Sequence, residues 1–120
     1  MILVDTSVWV EHWRKSVPEL ARRLGAGQVL VHPIVIGELS VGQIKNRTET
    51  IKLLMALPQA AQGGFHECMA FLEWHKAYGA GLGWNDIQLL TSAKLGNLDF
   101  WTFDKPLAKF ASKLGLAYRS

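Results

Sequence analysis

Asp5, Glu38, Asp86 and Asp104 stand where carboxylates are unusual. Each follows an apolar strand-like run or interrupts an apolar helical stripe, in the contexts MILVDTSVW, VIGELS, GWNDIQLL and WTFDKPL. Gathered at one place, four acids repel one another, and a divalent cation between them removes the repulsion. Magnesium and manganese prefer such oxygen donors, and magnesium held by one or two carboxylates keeps water and accepts substrate phosphate. The pattern points to metal-dependent chemistry on a phosphate ester.

Each acid also has a structural use. Asp5 directly follows the first apolar run and Asp104 comes two residues after the strand expected at 99–102, so both fall on the carboxyl rim where parallel sheets bind ligands. Either carboxylate would also cap the helix after it, Asp104 especially, before Lys105-Pro106. Around a helix opening at Pro33, Glu38 falls between Ile34 and Val35, with Val41 nearby. Buried there, its charge needs a cation from lysine, arginine or metal. Asp86 shares a helical face with Leu90 and Ala93, and it too is placed to cap a first turn. Thr6, Ser7 and Thr102 flank the acids with hydroxyls that orient water, hold a carboxylate, or serve only turns and caps.

Other chemistries find less support. His12, His32, His66 and His75 lack close zinc spacing, and one cysteine, Cys68, makes neither a thiolate zinc site nor an internal disulfide. That lone thiol packs as a small apolar group and fits a reducing cytoplasm. No GxxxxGK[ST] phosphate loop occurs. Gly79, Gly81 and Gly83 form a flexible approach to Asp86; no strand precedes them, so they are no dinucleotide fingerprint.

The elements that must position these residues alternate. Strands are expected at residues 2–4, 29–31, 99–102 and 116–118. A helix starts at Ser7, and Ser16 and Pro18 open another that runs to about Leu24. Pro33 opens the next, and Asn46 caps one ending before Pro58. Residues 58–64 read as a loop with a short edge strand, followed by helices at 65–78, 86–95 and 105–114. Strand alternating with helix predicts a parallel sheet covered on both faces, in a single α/β domain spanning residues 1–120.

Hydrophobic residues make up 49% of the 120, enough to bury a core, and no apolar stretch approaches the ~20 residues needed to span a bilayer. Met1 leads straight into a strand-like run, which predicts no secretory signal. The formal charge is +3, and setting the four acids aside raises the remainder to about +7, a mild preference for polyanions. Most of the five tryptophans are expected in the core or a subunit interface, with base stacking by Trp84, beside Asp86, the lesser alternative.

VDTSVW, VIGEL, GLGWNDIQLLTSA, LDFWTFDKPLAK and GLAYR, in this order and spacing, resemble the PIN-domain family, specifically VapC-type toxins of bacterial toxin–antitoxin pairs. The resemblance covers essentially the whole chain. It implies a three-layer α/β/α sandwich with a small parallel sheet. It also implies a Mg²⁺- or Mn²⁺-dependent endoribonuclease, and in-line attack of metal-activated water on an RNA phosphodiester would leave a 5′-phosphate and a 3′-hydroxyl. Carried over by position, the catalytic set is Asp5, Glu38, Asp86 and Asp104. Asp5 and Asp86 would bind the metal directly, Asp104 directly or through water, and Glu38 would close the site or hold a second ion. Expected partners are RNA, a VapB-type antitoxin whose tail occupies the groove, and a second copy of the chain. Asn85 departs from the family, which more often has an apolar residue there.

Two rival readings use the same acids. Phosphoaspartyl transfer would make Asp5 a nucleophile, but Ser7 stands where such phosphatases want a second aspartate. A non-catalytic module would use the acidic groove to bind a basic peptide.

Overall fold

The strand β1 (Ile2–Val4) is the middle of a three-stranded parallel sheet, between β2 (Val29–Leu30) and β3 (Asp99–Trp101), in a computed structural model that describes residues 1–119. Leu3 pairs with Leu30 on one side and Phe100 on the other. All three β1 residues are buried although neighbouring side chains point to opposite faces, so both faces of the sheet are covered.

The described residues form seven helices: α1 (Thr6–Lys15), α2 (Pro18–Gly25), α3 (Pro33–Val41), α4 (Arg47–Ala56), α5 (Phe65–Trp74), α6 (Trp84–Leu95) and α7 (Lys105–Lys113). One group packs α1 against α2 and α3, and α3 against α4; in another, α5 packs on α6 and α6 on β3. This is the α/β architecture that the alternation of elements predicts. No helix among the described residues is long and apolar enough to cross a membrane.

Several boundaries differ from expectation. Val31 leaves the strand and makes an isolated bridge to Gln59, and the expected strand at 116–118 is a single bridge between Ala117 and Phe100. The helix expected at 65–78 stops at Trp74, because Lys76 and Gly79 adopt left-handed φ values of 52° and 69°. The α6 helix begins two residues before Asp86, which sits in its first turn. Neither Ser16 nor Asn46 caps with its side chain; both take left-handed backbone, and Val17 occupies the position before α2. His32 is an unforeseen cap: its Nδ1 accepts the Ile34 N–H at 2.9 Å. Trp9, Trp101 and Cys68 are buried, whereas Trp13, Trp74 and Trp84 are exposed.

Candidate active site

The site grows from the adjacent ends of β1 and β3. Asp5 N–H donates to the Trp101 carbonyl at 2.9 Å, which carries the strand pairing one residue beyond Val4. The side chains that follow therefore meet. Ser7 and Thr102 both donate to Asp5 Oδ2, at 2.8 and 2.7 Å. Each hydroxyl has one proton. With both protons spent on the carboxylate, the 3.2 Å approach between the two hydroxyl oxygens holds no hydrogen bond of its own. The same oxygens accept backbone N–H groups, Ser7 from Phe103 and Thr102 from Asp104, both at 3.0 Å. Asp5 is 6% exposed, and this network compensates one of its oxygens.

Asp104 occupies the cap position of α7, and its Oδ2 accepts the Leu107 N–H at 3.1 Å. Asp86 Oδ2 accepts the Gly83 N–H at 2.8 Å. Glu38 Oε1 accepts from the Thr6 hydroxyl at 3.1 Å. The arrangement repeats at all four acids: one oxygen is held by the fold, and the other has no hydrogen bond among the described residues. None of those second oxygens belongs to the sealed, unpartnered polar atoms, which are Trp9 Nε1 and Ser92 Oγ. No protein group among the described residues occupies them.

The electrostatics tie three acids together. Burial pushes the Asp86 carboxyl above its ordinary value; the Gly83 N–H opposes the rise, and the charges of Asp5 and Asp104 add to it. Glu38 joins through Thr6, next in sequence to Asp5. One expectation fails here. Val35 and Leu39 face inward while Glu38 is exposed at the helix flank, so burial does not oblige it to find a cation.

Among the described residues, no three acidic, histidine or cysteine side chains converge into a ready-made metal cage. The donor set still fits magnesium or manganese: hard carboxylate oxygens, mutually repelling, each with one free oxygen. Magnesium needs only one or two carboxylates when water completes its octahedron. Asn85 accepts a hydrogen bond from Gln88 at 3.5 Å and bonds no acid among the described residues.

Residues 2–113 match the PIN domain family. The chain belongs to the PIN-domain family. It is 40% identical over 118 residues to the proteins called Ribonuclease VapC32 from two strains of Mycobacterium tuberculosis, covering 98% of this chain and 95% of each relative. That likeness marks it as a VapC-type PIN domain. A crystal structure of PAE2754 from Pyrobaculum aerophilum shares the fold with a TM-score of 0.61 at 14% identity, over 91% of this chain and 78% of the other. In this PIN domain the Gly83 N–H that holds Asp86 was not anticipated. Its signal is the spacing Gly83 to Asp86, a backbone donor three residues before a first-turn acid.

Proposed function

We propose that this single PIN domain is a Mg²⁺- or Mn²⁺-dependent endoribonuclease and the toxin of a toxin–antitoxin pair. The observation that carries this reading is the divided role of each carboxylate, one oxygen holding the fold and the other free at the rim. Full-length likeness to proteins named as VapC ribonucleases supports RNA as substrate.

Asp5 and Asp86 would hold the ion, Asp104 would assist directly or through water, and Glu38 would close the rim or hold a second ion. A bound divalent ion supplies acidified water and charge neutralisation at phosphorus. Ser7 and Thr102 fix the Asp5 carboxylate so that its free oxygen keeps one direction, and Thr6 does the same for Glu38. Such fixed groups need no reorganisation as charge develops. A VapB-type antitoxin could satisfy the same carboxylates with an arginine, whose planar fork matches them. A cytoplasmic setting and dimerisation through exposed aromatic surface belong to this reading.

The test is incubation of the purified chain with RNA in Mg²⁺, Mn²⁺ or chelator, followed by end mapping. Cleavage only with metal, leaving 5′-phosphates and 3′-hydroxyls, is expected. Asp5→Asn should remove it while the protein stays folded. Equal cutting by parent and variant would falsify the assignment.

A further inference from the structure

Lys105, Lys109 and Lys113 recur every four residues along α7, in one row on one side of the helix. They line a cleft of about 490 Å³ with Ala80, Pro106 and Phe110. All three are exposed, and none pairs with a carboxylate among the described residues. By contrast, Arg14 and Lys15 pair with Glu11, and Arg22 and Arg23 with Glu19. Lys52, Lys76 and Lys94 also stand outside these ion pairs, so what sets the α7 lysines apart is their row along one cleft.

Helix energetics account for Lys113, which lies in the last turn 5.5 Å from the Phe110 ring centroid, but not for the row as a whole. Like charges four apart repel, and Lys105 occupies the first turn, where the helix dipole disfavours a cation. Asp104 offsets only part of this. The row calls for negative charge from outside, and its place says where from. It starts beside Asp104, and the opposite wall, at Ala80, lies in the connection leading to Asp86. A side-chain carbon at Gly81 in that connection would lie 3.9 Å from Pro106 Cβ.

We propose that the cleft is a track for the phosphate backbone of single-stranded RNA running to or from the carboxylate rim. The row extends over about 12 Å of helix axis and presents separate ammonium groups, which grip phosphates as point charges. This rests on the nuclease reading above and adds the binding surface to it.

The test is binding of an unstructured 12-nucleotide RNA, by fluorescence anisotropy in chelator, over a series of salt concentrations. Three proteins are compared: the parent, a Lys105→Gln/Lys109→Gln/Lys113→Gln variant, and a Lys52→Gln/Lys76→Gln/Lys94→Gln control of equal net charge. Each lost phosphate contact lowers the magnitude of the log–log salt slope by about 0.7, so the row variant should lose about 2 while the control keeps the parental slope. Affinity at low salt should fall roughly tenfold or more in the row variant. A row variant with the parental slope, or a control that loses as much, overturns the track. So does row-dependent binding of a twelve-residue polyglutamate when RNA binding ignores the row. The nuclease reading is separable, because binding in chelator needs no cleavage. A parent that cuts RNA while the slopes coincide loses the track alone; a parent that cuts none, with the slope difference intact, loses only the nuclease.

Discussion

Thr102 donates its hydroxyl proton to Asp5 Oδ2 at 2.7 Å across 97 residues of chain. The bond closes the rim between β1 and β3, and Thr102 also accepts the Asp104 N–H. One hydroxyl therefore aims one acid and anchors the backbone of another. Thr102→Val keeps the shape and removes both bonds. Loss of a partner that orients a metal-binding carboxylate typically costs 10–100-fold in affinity or activity. Thr102→Val should show that loss in RNA cleavage and in Mn²⁺ titration, with an unchanged circular dichroism spectrum. An unchanged cleavage rate would remove Thr102 from the site.

Asp86 gives a prediction with a definite sign. Burial, then the neighbouring acids, raise its folded value above the ordinary value of about 3.8, against the Gly83 hydrogen bond. The folded protein thus keeps this proton where the unfolded chain has released it. The associated stability is full below the ordinary carboxyl range and is lost as pH rises through the raised value. Asp86→Asn retains an acceptor for Gly83 and removes the charge. In chelator at pH 7 the variant should melt higher than the parent, and the gap should close in acid. Saturating Mg²⁺ should stabilise the parent more; at 100 times Kd, binding contributes about 2.7 kcal/mol. A variant that melts lower at pH 7 in chelator would contradict this.

The strand-to-acid junctions were legible in the sequence because both signals are local: a short apolar run, then a polar turn residue. Asp5 and Asp104 could be placed on a rim from that alone. Glu38 could not be oriented, because α3 is apolar nearly all round and a helical wheel cannot choose between its flank and its centre. Short strands failed for a related reason. Residues 116–118 look apolar, but they meet β3 at Phe100 alone: Phe100 donates to the Leu116 carbonyl, accepts from the Tyr118 N–H, and so makes one bridge with Ala117 in place of a strand. The cap by His32 was hidden because imidazole is not an ordinary capping group; its burial and tautomer come from the fold.

Gly63 tests how the connection after α4 seats α6, the helix that carries Asp86. A Cβ there would lie 2.8 Å from Thr91 Cγ2, 3.4 Å from Leu95 Cδ1 and 3.5 Å from Cys68 Sγ. Thr91 cannot easily turn away, because it is buried and its hydroxyl donates to the Ile87 carbonyl at 2.7 Å. Gly63→Ala should therefore destabilise by about 1–3 kcal/mol, the usual range for overpacking. Chemical denaturation measures it, and a stability equal to the parent's would mean that α6 yields at no cost.

His32 links acidity to the helix that bears Glu38. The residue is 2% exposed, and Nδ1 accepts the Ile34 N–H, so the capping form is neutral with the proton on Nε2. Burial pushes its value below the ordinary 6.5. The unfolded chain then takes up a proton at a pH where the folded ring still refuses it. The contribution to stability is complete above about pH 6.5 and is lost as pH falls through the lowered value. Protonation would also destroy the acceptor and leave an N–H facing the Ile34 N–H. Asparagine caps well and does not titrate in this range, so His32→Asn should flatten the fall in stability between pH 7 and pH 5. His32→Ala at pH 7.5 loses the cap as well as buried contacts, and should cost about 1–2 kcal/mol for the cap alone. Parallel stability–pH curves for the parent and His32→Asn would show that this ring does not carry the acid sensitivity.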